Sequence, residues 1–161
     1  MQLMMIVACI IVFVFLFILF GKQNANSPKV LYKDTGPRSR VFINKRYGIA
    51  AKPDAILQTP DGIVGVEYKS RRHGIYLSDI VEAKAAALAA RSKYRICAIQ
   101  IKNQTQSKVF PLPKNDADLY NEIKHYKELA DAAQHQLLHG EPHPAKCRAC
   151  PFNRHCSERL G

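Results

Sequence analysis

Residues 48–70 read GIAAKPDAILQTPDGIVGVEYKS, and the rest of the chain takes its meaning from this stretch. Ala50 to Gln58 and Ile63 to Ser70 are strand-like, and Thr59-Pro60-Asp61-Gly62 separates them. Asp-Gly between two apolar alternations is among the strongest short-range hairpin signals. With Asp61-Gly62 as a two-residue loop, Pro60 pairs with Ile63, Ile56 faces Glu67 and Asp54 faces Lys69. Facing residues share one side of a sheet, as do residues two apart on a strand. Asp54, Glu67 and Lys69 are therefore expected on one face, within about 5 to 8 Å of each other. Ala55, Leu57, Val64, Val66 and Tyr68 occupy the other face, which reads as the core side. A loop longer or shorter by a single residue would part Asp54 from its two companions.

Two carboxylates at that separation repel unless a cation neutralises them. A hard divalent ion such as Mg²⁺ or Mn²⁺ does so with one or two carboxylates, completing its shell with water and substrate phosphate. Such an ion activates a water and shields a phosphodiester, while Lys69 would position that water or stabilise the pentavalent charge. The plainer reading of so short a pattern is a salt bridge on a hairpin surface.

Working outward, a helix is expected from about Ser78 to Arg91, with Ser78 as N-cap, Asp79 and Glu82 in its first turns, and an alanine-rich body. Arg95 to Ile101 reads as a buried strand and Lys108 to Leu112 as a shorter one. A last helix begins near Asp116, with Leu119, Ile123, Tyr126, Ala130, Ala133 and Leu137 at helical spacing. Gly140, Pro142 and Pro144 end it. Residues 29–47 are basic and irregular and yield no assigned element. The order of elements makes an α/β sandwich, which by itself fixes no function.

The formal charge is +11, from 24 Lys and Arg against 13 Asp and Glu. No charged side chain lies in the first 21 residues, so the whole excess sits on the remainder. A basic domain points to a polyanion such as nucleic acid or an anionic membrane surface. Arg46 and Lys52 precede Asp54, and Arg71-Arg72 follow Lys69, which suits sequence-independent phosphate binding. Aromatic residues are sparse among these groups and tryptophan is absent, so no base-stacking platform is legible.

Leu3 to Phe20 (LMMIVACIIVFVFLFILF) is an unbroken apolar run. A bilayer-spanning helix needs roughly 20 residues, with about 17 as the lower end. The run lacks a polar stripe and a basic n-region, so it reads as one transmembrane anchor rather than a core helix or a cleaved leader. Lys22, Lys29 and Lys33 on its C-terminal side place the domain that follows in the cytoplasm.

Of the five cysteines, Cys147, Cys150 and Cys156 crowd into ten residues. That is too tight for a disulfide framework, and in a reducing compartment it reads as a metal or iron–sulfur site.

The run Gly48 to Ile56, followed by Gly65-Val66-Glu67-Tyr68-Lys69-Ser70, resembles the second and third motifs of PD-(D/E)XK nucleases. It is most similar to the RecB-like branch that includes the CRISPR-associated exonucleases. The resemblance implies a restriction-endonuclease-like core, a mixed sheet flanked by helices, acting as an exonuclease-like deoxyribonuclease on DNA. It makes Asp54, Glu67 and Lys69 catalytic, with Asp54 and Glu67 holding Mg²⁺ or Mn²⁺. In that branch the helix after the third motif carries Gln and Tyr four residues apart; here Glu82 and Ala86 occupy those places. Glu82 is thus a possible supporting group. The branch's upstream histidine has no counterpart, since no histidine precedes His73.

The C-terminal cysteines resemble the branch's tail, where three cysteines help hold a [4Fe-4S] cluster; Zn²⁺ is the alternative. The branch's fourth ligand, an upstream cysteine, is missing from residues 22–96, leaving Cys97, His143, His155 or none. The expected organisation is an anchor at 1–21, a basic linker at 22–47, the nuclease core at 48–138 and a metal-binding tail at 139–161.

Overall fold

Proline supplies no ladder donor and breaks a strand it falls within. Pro53 does so here, splitting the expected strand from Ala50 to Gln58 into β3 (Ile49–Ala51) and β4 (Ala55–Thr59). The structure, a computed structural model, describes residues 27–135, 140, 142–150 and 153–160. The expected anchor, Leu3 to Phe20, lies outside them; among the described residues no helix is long and apolar enough to cross a membrane.

The remaining strands are β1 (Lys29–Lys33), β2 (Phe42–Asn44), β5 (Gly62–Tyr68), β6 (Ile96–Lys102) and β7 (Ser107–Pro111). The helices are α1 (Leu77–Ala90), α2 (Asp116–Ala132) and the short α3 (Pro144–Ala149), followed by a 3₁₀ turn at Asn153–His155. The basic stretch at 29–47 is therefore not only linker. It supplies β1, which pairs antiparallel with β4, and β2, which pairs antiparallel with β3. The main sheet runs β1-β4-β5-β6-β7, mixed because β5 and β6 are parallel while the other pairs are antiparallel. This is the expected α/β architecture of a mixed sheet flanked by helices. The chain divides into two compact units, residues 1–123 and 124–161.

The β4–β5 register differs from the expected one by two residues. Thr59 pairs with Gly62, Leu57 with Val64 and Ile56 with Gly65. Pro60-Asp61 is thus the turn, with Pro60 pre-set for the first central position and Gly62 following at φ 129°. A slip of two leaves every side chain on its original face.

The expected core face is one of two buried faces, and the smaller. Tyr68 is 51% exposed, and although Ala55, Val64 and Val66 are buried, the principal cluster lies on the opposite side. There Ile56, Ile99 and Ile101 pack with Ala83, Ala87 and Leu88 of α1 and with Phe42, Leu119 and Ile123. Both faces of β5 are covered over much of its length, as is usual for a strand with a parallel neighbour. The alanines explain how α1 fits: Ala83, Ala86 and Ala87 lie against Gly65 and Glu67, so the helix backbone approaches the sheet closely. Asn44 donates to the Leu88 carbonyl at 3.1 Å, tying the β2–β3 ribbon to α1.

Candidate active site

β5 carries its last two residues, Glu67 and Tyr68, to the carboxyl end of the parallel pair, where ligands gather in open α/β sheets. Extending the observed register, Asp54 stands opposite Glu67, not opposite Lys69 as expected. Asp54 is just outside β4, and its side chain takes over from the backbone ladder. Asp54 Oδ2 accepts the Tyr68 N–H at 2.6 Å, and the Asp54 carbonyl accepts the Asp34 N–H at 2.8 Å. One carboxylate oxygen is thereby committed to the fold. Beyond the strand, Lys69 N–H still bonds the Lys102 carbonyl at 2.7 Å, so Lys69 is held by β6.

Lys69 is the hub of the cluster. Its Nζ lies 2.9 Å from Glu67 Oε1, 2.5 Å from Glu82 Oε2 and 3.9 Å from Asp79 Oδ1. Glu82, standing where the resembling branch has Gln, therefore reaches the cluster from the second turn of α1. Burial pulls the Lys69 ammonium down, but its bonds to Glu82 and Glu67 outweigh this and raise its pKa. Glu67 is 7% exposed. Burial, aided by the charges of Asp54 and Glu82, pushes its carboxyl above the ordinary range, and Lys69 offsets only part of that. A buried carboxylate left under-compensated is what a divalent cation would neutralise.

Asp79 went unassigned in the sequence beyond favouring a helix start. It is buried, accepts the Tyr76 N–H at 2.8 Å as the reciprocal half of the α1 cap, and ion-pairs with Arg71. The N-cap is consequently Tyr76 and not Ser78. Burial pushes the Asp79 carboxyl up, yet Arg71 and the Tyr76 N–H hold it below the ordinary range. The spacing of Tyr76 and Asp79 is the signal that would have found this, since an acid three residues past a cap bonds back to it.

The basic residues expected to meet phosphate separate into different environments. Arg71 is taken by Asp79 and stacks over the Tyr76 ring at 4.8 Å. Lys52 pairs with Asp34 at 3.7 Å, and Arg46 lies over the Tyr47 ring at 5.4 Å. Arg72 is exposed. The segment bearing Arg71 and Arg72 is strapped by the β6–β7 turn: Gln104 donates to Ser70 O, Thr105 to Arg72 O and Asn103 to Gly74 O, at 2.7, 2.5 and 2.9 Å.

In the second unit, Cys147, Cys150 and Cys156 line one pocket of about 220 Å³ with Gly140, Pro142, Lys146 and Glu158. Thiol chemistry there suits a soft metal or cluster. Among the described residues, however, no three His, Cys, Asp or Glu already stand close enough together to hold a metal ion. Of the fourth-ligand candidates, Cys97 has its Sγ engaged at the β4–β5 turn, 3.3 Å from the Ile63 carbonyl. Compared with known proteins, the chain matches no family model and no curated relative.

Proposed function

We propose that the chain is a divalent-metal-dependent deoxyribonuclease of the PD-(D/E)XK type, tethered by residues 1–21 with its domain facing the cytoplasm. The observation that carries the reading is Asp54 opposite a buried, under-compensated Glu67, with Lys69 bonded to that same Glu67. Bound Mg²⁺ or Mn²⁺ would supply a polarised water and charge shielding at the scissile phosphate. The two carboxylates hold the cation's side of the site. Lys69 Nζ, kept in place by Glu82, orients the attacking water or meets the charge that develops on the phosphate oxygens. Asp79 fixes the start of α1 and so the position of Glu82 one turn later. The C-terminal thiols belong to a [4Fe-4S] centre, or to Zn²⁺, that staples the tail.

A second reading, a DNA-binding protein of the same fold without turnover, is favoured by one observation. Lys69 and Arg71 already pair with Glu67, Glu82 and Asp79 and offset two of their three charges. The test is cleavage of single- and double-stranded DNA by the purified full chain with Mg²⁺ or Mn²⁺. The wild type should cut and Asp54→Ala should not, while retaining DNA affinity that rests on the basic surface. Binding without cutting selects the second reading, and cutting by Asp54→Ala overturns the site.

A further inference from the structure

Tyr76 caps α1 with its backbone and leaves its ring at the rim of the carboxylate cluster, 57% exposed; Leu77 beside it is 60% exposed. Exposed apolar side chains are ordinary singly, but this ring is held from more than one side. The Arg71 guanidinium sits 4.8 Å from its centroid, and Arg71 is itself pinned by the buried Asp79. Gly74, at φ 82°, makes room: a Cβ there would come within 2.8 Å of the ring. The backbone carrying Arg71 and Gly74 is strapped by Asn103 and Thr105 of the β6–β7 turn. The ring is thus buttressed by a guanidinium and a glycine in a residue more than half exposed.

Its position is equally specific. Asp79, which holds Arg71, lies 3.9 Å from Lys69 Nζ. From Tyr76 the contacts run through Arg71 and Asp79 to the lysine that touches Glu67. A strand with a phosphate at the Glu67–Lys69 site has its flanking sugars and bases within reach of this rim. A pre-fixed aromatic ring suits a nucleobase because stacking needs only a π-face and little further ordering of the protein. A base in the interior of a duplex is stacked on both faces, so the contact favours an unpaired one.

We infer that Tyr76, buttressed by Arg71, is a stacking platform for an unpaired nucleobase flanking the phosphate at the Glu67–Lys69 site, which rests on the nucleic-acid reading above. Tyr76 is here a binding and specificity residue, and the bond to Asp79 uses its backbone, so substitution leaves the helix cap in place.

The experiment uses the full chain without divalent metal and a short single-stranded oligodeoxynucleotide carrying 2-aminopurine at successive positions. Wild type and Tyr76→Phe should quench the probe at one position, and Tyr76→Ala should not. Stacking contributes about 1–3 kcal/mol per base, so Tyr76→Ala should bind the oligonucleotide roughly 5- to 150-fold more weakly. Affinity for a blunt duplex of the same length should change little. Equal single-strand affinity in wild type and Tyr76→Ala, or equal loss for both substrates, overturns the platform. Quenching that depends on Tyr76 in a protein that never cuts DNA with Mn²⁺ keeps the platform and removes the nuclease. Cutting with no effect of Tyr76→Ala on affinity or KM does the reverse.

Discussion

Replacing Lys69 with Met separates two things the site does with one ammonium group. Lys69 Nζ is 2.9 Å from Glu67 and 2.5 Å from Glu82, so in the metal-free protein it occupies part of the charge a divalent cation would need. A single and a double charge about 4 Å apart repel by about 2 kcal/mol even at the dielectric of bulk water. That is roughly thirtyfold in a dissociation constant. Lys69→Met should therefore bind Mn²⁺ on the order of tenfold or more tightly, measured by titration calorimetry at pH 8. Cleavage should nevertheless fall on the order of 10² or more, because the transition state loses an electrostatic partner. Glu82→Gln should act oppositely on binding, since it removes an acid and leaves Lys69 to Glu67 and the more distant Asp79. Unchanged or weaker Mn²⁺ binding in Lys69→Met would refute the idea that lysine and metal share these carboxylates.

Glu67→Gln addresses burial. The folded-state pKa of Glu67 is raised above its ordinary value of 4.5, so ionising it costs stability. That cost is absent below the ordinary range and complete above the raised pKa; metal-free Glu67→Gln should thus melt above wild type at pH 8, with the gap closing towards about pH 4. Anaerobically prepared protein should carry iron or zinc, with Cys150→Ser losing both metal and tail stability and Cys97→Ser losing neither; metal analysis finding neither element in the wild type dismisses the tail site. The full chain should fractionate with membranes and a chain lacking residues 1–21 should not, and recovery of the full chain in the soluble fraction would rule out the anchor.

The face of each candidate-site residue is legible because strand parity survives a slip of two. The expected turn lies one residue too far along, which shifts the pairing by two, because Asp61-Gly62 is the more familiar turn pair while Pro60 is the residue that takes the first central position. Asp54, Glu67 and Lys69 still fell on one side. The second buried face is harder to read: Gly65 and the α1 alanines show little hydrophobic signal, yet their smallness lets the helix pack there. β1 and β2 escaped notice because their lysines and short lengths mask the alternation, and their partners β4 and β3 are distant in sequence. Asp79 and Tyr76 were hidden by having two roles at once, capping a helix and organising the rim of the site.

The pairing of β5 with its two neighbours also orders events in time. β4 and β5 are joined by a tight turn, so Asp54 and Glu67 can meet as soon as the hairpin closes. Lys69 finds its backbone partner Lys102, and Glu82 reaches Lys69, only after the chain has crossed over through α1 and laid β6 alongside β5. Non-local parallel pairing is the slower step. In a chain that has closed only the hairpin, Asp54, Glu67 and Lys69 already share one strand pair, and what arrives with α1 and β6 is the fixing of the lysine by Glu82 and by the Lys102 carbonyl.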